Sequence, residues 1–210
     1  MKKIYLVRHG ETVGNANHIH QDEFTPLSEL GQSQAEFVAT RLRDLPFDVM
    51  IASPYKRAMQ TAKTINKELE LELVSNDLFR EYSRPSEIQG MSMFTPLSKV
   101  VRREIEKNFH NADWHYSDEE NFSDFSKRVK QAVTFVEQRE EERILIVSHG
   151  LFIKMFIALV TFPKSFNSHM FLEWIDNSWH NNTGVSMLEY HEDKNHWRLL
   201  TWSDYSHLPA

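Results

Sequence analysis

Apolar and polar residues follow two different periods along this chain, and the way these periods alternate predicts the order of its elements. Continuous apolar, β-favouring runs indicate strands buried on both faces at 2–8, 47–53, 71–75 and 143–148. Apolar positions three or four residues apart indicate helices at 28–45, 53–69, 97–109 and 121–142, with others from 151 and after 163. Two more strands are expected at 183–190 and 196–202.

Two helix starts carry recognisable signals. Ser28 is the predicted N-cap of the first helix, whose apolar face includes Leu30 and Leu45. Ser53 is the predicted N-cap of the second helix, with Pro54 at the first helical position.

Strands that alternate with helices predict an α/β fold with a largely parallel central sheet. The alternation is interrupted at about 83–120, where Pro85, Gly90, Pro96 and an acidic stretch at 117–120 occur. We expect a single domain over 1–210 in which the 83–120 segment is a lid-like insertion.

Composition narrows the function classes. The formal charge of -6 and the pI near 6.0 argue against a duplex nucleic-acid binder, so an anionic ligand needs a local basic cluster. The chain has no cysteine, which excludes disulfides, thiolate zinc sites and a cysteine nucleophile. The apolar run at 151–162 is too short to span a bilayer and contains Lys154. We expect a cytoplasmic protein with neither nucleic acid nor membrane as partner.

Three strand-to-helix junctions carry basic or imidazole side chains. They supply Arg8 and His9 at the first, Arg57 at the second, and His149 at the third. Parallel strands bring such junctions to one sheet edge, where two arginines and two histidines form a pocket for a phosphoryl group. Gly10 and Gly150 are expected to let the backbone approach a ligand closely.

The segments LVRHGET, TPLSELGQSQA, SPYKRAMQTA and VSHG occur in this order and closely resemble the histidine phosphatase superfamily, the phosphoglycerate-mutase-like proteins. The resemblance covers nearly the whole chain and is weakest between Ser83 and Asn121. It implies a three-layer αβα sandwich with a mostly parallel central sheet.

The resemblance also implies roles for individual residues. His9 would be the nucleophile that forms a phosphohistidine, and Arg8, Arg57 and His149 would hold the phosphoryl oxygens. Asn15, Gln21 and Gly150 would bind the substrate. No metal and no other cofactor is expected, because the basic side chains supply the positive charge.

The leaving group needs a proton donor, which in the family is a glutamate after the third strand. Glu81 holds this position, Glu87 in the same loop is the competitor, and Glu11 is interpreted as structural. The predicted function is hydrolysis of small phosphorylated metabolites. A cofactor-dependent phosphoglycerate-type mutase and a non-catalytic phospholigand-binding protein are the alternatives, and a homodimer is left open.

Some other residues allow two interpretations. His18 and His20 have a spacing that can bind metal, but loop histidines near the site fit better without a third ligand. Arg80 and Arg84 would either meet a second anionic group on the substrate or form salt bridges. Trp174, Trp179, Trp197 and Trp202 are interpreted as core and strand-face residues.

Overall fold

A computed structural model describes residues 1–209 of the 210-residue chain. Its strands are β1 (Lys2–Arg8), β2 (Val49–Ala52), β3 (Leu73–Ser75), β4 (Arg143–Ser148), β5 (Val185–His191) and β6 (His196–Asp204). Its α-helices are α1 (Val13–Ala16), α2 (Glu29–Leu42), α3 (Lys56–Leu69), α4 (Pro96–Asn108), α5 (Phe122–Glu137), α6 (Gly150–Thr161) and α7 (Ser168–Asn177). Within the described range, no helix combines the length and apolarity needed to span a bilayer.

The strands form one sheet in the order β3-β2-β4-β1-β5-β6. Strands β1 to β4 run parallel, whereas β5 pairs antiparallel with β1 and β6 antiparallel with β5. Val147 of β4 stands opposite both Val7 of β1 and Ala52 of β2, so these three strands end level with one another. Their carboxyl ends therefore open at the same edge of the sheet.

Each face of the sheet is buried under a helical layer. In β4, Ile144 and Ile146 pack toward α5, α6 and α7, while Leu145 and Val147 pack toward α2 and α3. The period of two along a strand produces this division, and it explains why the strands read as continuous apolar runs. The predicted three-layer αβα sandwich with a mostly parallel sheet is confirmed.

The predicted start of α2 is confirmed, because Ser28 Oγ accepts from the Gly31 backbone N–H at 3.0 Å. The predicted start of α3 is wrong. This helix begins at Lys56 after Tyr55, and Pro54 lies before it. The hydroxyl of Ser53 instead lies 2.7 Å from His149 Nε2, so its side chain is committed to the end of β4.

The segment 83–120 contains α4 and a small apolar cluster formed by Ile88, Val101 and Ile105. It is hydrogen bonded to the loop that follows α1: His20 N–H donates to Met91 O at 2.9 Å, and His20 O accepts from Gly90 at 2.8 Å. This places the segment across the carboxyl edge of the sheet. Its description as a lid-like insertion of a single domain stays a prediction.

Candidate active site

The residues predicted at three strand ends come together in the structure. A cavity of about 230 Å³ opens at the carboxyl edge of the sheet. Its walls include the predicted residues Arg8, His9, Asn15, Gln21, Arg57, Glu81 and Gly150. His149 is fully buried beside the cavity, and its ring centroid lies 5.1 Å from that of His9. The structure thus brings all the predicted site residues into one region.

His9 is held in a form that leaves one ring nitrogen free. Its Nδ1 lies 2.7 Å from the carbonyl oxygen of Gly10, so Nδ1–H is the donor and Nε2 carries the lone pair. The side chain is 3% exposed. Burial, followed by the charges of Arg57 and Arg8, lowers the pKa of His9 well below 6.5. The imidazole is therefore neutral at neutral pH, as a nucleophile must be.

The glycine beside His9 serves packing rather than ligand approach. A Cβ on Gly10 would lie 2.3 Å from the carbonyl oxygen of Gly31, and a Cβ on Gly31 would lie 2.0 Å from Glu11 O. These two glycines let the loop after β1 touch the first turn of α2. A Cβ on Gly150 would meet only Arg8 atoms, at 3.5 Å or more, which is ordinary contact. The expectation that Gly10 lets the backbone approach a ligand is therefore replaced by close packing against α2. For Gly150 that expectation stays a prediction.

Arg57 is buried and Arg8 is partly buried, and neither forms an ion pair with a carboxylate in residues 1–209. Arg8 Nη1 donates to the His180 carbonyl, and Arg57 Nη1 donates to the Asp22 carbonyl at 2.6 Å. Both Nε groups are buried with no hydrogen-bond partner in the described residues. Burial lowers the pKa of Arg8 to about 10 and also lowers that of Arg57, so both stay charged near neutrality. The paired cations form an anion site.

Ser53 lies against His149. Its Oγ accepts from the Tyr55 backbone N–H at 3.3 Å and lies 2.7 Å from His149 Nε2. With the serine hydroxyl donating to Nε2, His149 carries its proton on Nδ1, which is buried with no other partner in the described residues. Burial and the Arg57 charge lower the pKa of His149 well below 6.5, so it is a neutral donor.

Thr12 orients the two amides predicted to bind substrate. Its backbone N–H donates to Asn15 Oδ1 at 3.2 Å, and its hydroxyl donates to Gln21 Oε1 at 2.9 Å. Asn182 Nδ2 also donates to Asn15 Oδ1, at 3.4 Å. Because both carbonyl ends are occupied, the amide NH₂ ends are left as donors for an anion. Thr12 is fully buried.

Glu81 lies where the cavity meets the start of α6. Its Oε1 accepts from the backbone N–H groups of Tyr82 and Phe152, each at 3.0 Å, and its Oε2 accepts from Leu151 at 3.2 Å. These bonds cap α6, whose own N-cap residue makes no side-chain cap bond. Glu87 is exposed in a short 3₁₀-helix and does not line the cavity. The geometry therefore favours Glu81 over Glu87.

Several residues near the cavity escaped the sequence interpretation. Asn182, in the loop before β5, donates from Nδ2 to His9 O at 2.9 Å. Lys154 lines the cavity and donates to Ile175 O at 2.9 Å; a lysine inside an apolar run was the available signal. Trp179 is 73% exposed at the cavity wall, so its assignment to the core is wrong.

Arg80 and Arg84, each expected to form a salt bridge or to meet the substrate, differ in their contacts. Arg80 pairs with Glu120 at 3.0 Å, whereas Arg84 makes no ion pair in the described residues and lies 5.5 Å from the Tyr82 ring centroid. His20 lines the cavity, as expected for a loop histidine near the site. Within residues 1–209, no group of three or more His, Asp or Glu side chains is arranged to hold a metal.

Comparison with known proteins agrees with this geometry. The profile of the histidine phosphatase superfamily (branch 1) matches residues 4–204. The chain belongs to this superfamily. It is 28% identical over 212 residues to the uncharacterized phosphatase PhoE of Bacillus subtilis, covering 99% of this chain and 97% of that protein. It is 27% identical over 215 residues to the probable phosphoglycerate mutase GpmB of Yersinia pestis, covering 99% and 95%.

Among solved structures, the putative alpha-ribazole-5'-P phosphatase of Escherichia coli superposes with a TM-score of 0.80. The alignment covers 97% of each chain at 21% sequence identity. Similarity at this level of identity establishes the shared fold. The family predicted from the sequence motifs is confirmed by the family profile, and the predicted fold by the superposition.

Proposed function

We propose that this protein is a phosphomonoesterase that removes the phosphoryl group from small phosphorylated metabolites through a phosphohistidine on His9. The observation that carries the proposal is a neutral histidine, with Nε2 free, beside the buried Arg57 and the partly buried Arg8, neither of which forms an ion pair with a carboxylate in residues 1–209. A phosphate monoester supplies the negative charge that this cluster lacks. Membership of the superfamily and the phosphatase names among relatives support the same class.

In the first step, His9 Nε2 attacks phosphorus, and the bond from phosphorus to the ester oxygen breaks. Arg8 and Arg57 neutralise the charge on the non-bridging oxygens, and the Nδ1–H of His149 donates to one of them. The amides of Asn15 and Gln21 add further donors. The Gly10 carbonyl stabilises the positive charge that His9 acquires, because it already accepts from Nδ1.

The leaving oxygen takes a proton from Glu81 in its protonated form, and the alcohol departs. The Glu81 carboxylate then removes a proton from water, whose oxygen attacks phosphorus while the bond to Nε2 breaks. The products are the alcohol and inorganic phosphate, and His9 returns to its starting form. Three backbone N–H groups position Glu81 at the cavity wall and stabilise the carboxylate form that accepts the proton from water.

The test is hydrolysis of p-nitrophenyl phosphate in EDTA by the wild type and by His9→Ala. We expect turnover without added metal, an acid-labile and alkali-stable phosphoenzyme on rapid quenching, and loss of both in the variant. His110→Ala is the matched control, since His110 lies outside the cavity. Full activity in His9→Ala would contradict the proposed nucleophile.

A mutase is the second candidate, favoured by the similarity to the probable phosphoglycerate mutase. It would use the same phosphohistidine but return the phosphoryl group to a hydroxyl of the product. Incubation with 3-phosphoglycerate and a trace of bisphosphoglycerate separates the two functions. We expect release of inorganic phosphate to exceed isomerisation; the reverse ratio would establish the mutase. A homodimer and a cytoplasmic location stay predictions.

A further inference from the structure

A second cavity, of about 430 Å³, adjoins the catalytic one. The two cavities share the wall residues His20, Tyr82, Arg84, Met93, Leu151 and Trp179. We call the second one the apolar cavity. Because these six residues line both cavities, no more than a single layer of residues separates the two.

Most of the apolar cavity wall is hydrocarbon and comes from four different helices. These residues are Ile105, Phe109, Phe125, Leu151, Phe171, Leu172 and Ile175. Charged groups are few, and Arg102 lies 3.6 Å from Glu106 in an ion pair on one turn of α4. The remaining acid, Asp176, is exposed at the end of α7. A surface of this composition binds an apolar group.

The shared wall is largely uncharged. Burial, with the charges of Arg84 and Arg102, lowers the pKa of His20 to about 4, so the ring is neutral at neutral pH. Burial raises the pKa of Tyr82 to about 12, so it keeps its proton. Arg84 is the exception, and its guanidinium lies over the Tyr82 ring. The wall that the two cavities share therefore favours contact with a hydrocarbon group over contact with a second anionic group.

The position of Glu81 indicates which part of a substrate would lie nearest the apolar cavity. Its carboxylate accepts from the backbone of Tyr82 and Leu151, and the side chains of both residues line the apolar cavity. A leaving oxygen that takes its proton from Glu81 must lie next to these residues. The carbon atoms attached to that oxygen therefore lie at the entrance of the apolar cavity.

We propose that the apolar cavity receives the alcohol part of the substrate, which is an aliphatic or aromatic group rather than a polyhydroxylated or carboxylated one. The hydrolysis of such a substrate rests on the proposed phosphatase function, whereas the binding of its apolar group does not. Each methylene that leaves water for such a cavity strengthens binding by roughly threefold to fourfold. The preferred substrate is thus a phosphate monoester of an apolar alcohol.

The experiment uses two matched series of increasing chain length. Binding of ethyl-, butyl- and hexylphosphonate, which cannot be hydrolysed at the C–P bond, is measured by calorimetry in EDTA. The ratio kcat/KM is measured for ethyl, butyl and hexyl phosphate, whose leaving groups have nearly the same basicity. We expect the Kd to fall by roughly tenfold or more per two methylenes, and kcat/KM to rise in parallel.

Leu172→Asp places a charge in the cavity wall and should abolish the dependence of Kd and of kcat/KM on chain length. Leu172→Ala should weaken this dependence by a smaller amount. Val100→Asp is the matched control, because Val100 is exposed on α4 and lines neither cavity, and it should keep the wild-type slopes. A Kd that does not change with chain length in the wild type would overturn the proposal. A Kd that falls with chain length, without turnover of any ester, would instead support the apolar cavity as a binding site and refute the phosphatase function.

Discussion

The two ends of the site are built in different ways. At the phosphate end, the arginines and histidines lie at strand and helix termini, all but Arg8 are buried, and a backbone carbonyl or a serine lies within hydrogen-bond distance of one polar atom of each. At the apolar end, the walls come from helices α4, α5, α6 and α7, and Trp179 is largely exposed. The phosphate end is fixed by hydrogen bonds, whereas the apolar end depends on side-chain packing.

This difference separates the chemistry from the selection of substrate. Hydrogen-bonded groups at the sheet edge cannot change without losing a buried partner, which costs about 1–3 kcal/mol for each group. Apolar walls tolerate substitution of one hydrocarbon side chain by another at smaller cost when the volume is kept. We therefore expect substitutions at the two ends to give distinguishable kinetic effects.

The largest effect should come from Glu81, which lies where the two ends meet. Glu81→Gln keeps the size of the side chain and one acceptor oxygen but cannot exchange a proton, so turnover of alkyl phosphates should fall on the order of 10²–10⁴-fold. The loss should be smaller for p-nitrophenyl phosphate, whose leaving group needs less protonation. Glu87→Gln is the matched control and should keep wild-type rates. Equal losses in both variants would refute the assignment of Glu81.

Arg128→Met should break the connection of the 83–120 segment to α5 and to the loop that follows β3. Arg128 bonds both oxygens of Glu120, at 2.6 and 2.8 Å, and the backbone of Glu81 at 3.2 Å. Leaving Glu120 buried with one partner fewer should lower the free energy of unfolding by about 3–5 kcal/mol, as measured by urea denaturation. Arg102→Met removes an exposed pair with Glu106, and should change stability by less than about 1 kcal/mol.

The buried histidines of the phosphate end predict a pH dependence of stability. Burial lowers the pKa of His180 to about 3, and those of His9 and His149 lie well below 6.5. Below pH 6.5 the unfolded chain binds protons that the folded protein does not, so stability falls as the pH falls. We expect a loss of about 1.6 kcal/mol from His180 between pH 6.5 and 5, with further losses from His9 and His149 in the same direction.

Urea denaturation at pH 7.5, 6.5 and 5.0 measures this loss. The midpoint should change little between the first two values and fall clearly at the third. A stability that is constant down to pH 5 would mean that these imidazoles are charged in the folded protein.

The smallest effect should come from Thr12→Val, which removes the hydroxyl that orients Gln21 and accepts from Asn15. We expect KM to rise roughly tenfold, with a smaller change in kcat, because the Gln21 amide becomes free to rotate. Thr12→Ser should restore the wild-type KM. The ratio of hexyl to ethyl phosphate turnover should stay unchanged in both variants, because the apolar cavity is untouched; a changed ratio would mean that the two ends are coupled.

Much of the phosphate end could be predicted from the sequence, because its residues follow directly from short-range patterns. A buried strand that stops at Arg8, and another that stops at Ser148, place His9 and His149 at the sheet edge. The same local reasoning failed at Ser53, whose capping signal is real but whose hydroxyl is taken by a residue 96 positions away in the chain. It also failed at Trp179, because burial depends on what packs against a side chain.

The sequence by itself determined the α/β class, the family and the residues that meet at the sheet edge, since strand period, helix period and ordered motifs are local properties. Only the tertiary structure decided that Glu81 rather than Glu87 faces the cavity, and that Thr12 orients the amides of Asn15 and Gln21. It alone also revealed the apolar cavity. The physical reason is that cavity walls and hydrogen-bond directions arise from contacts between distant segments, which no local pattern encodes.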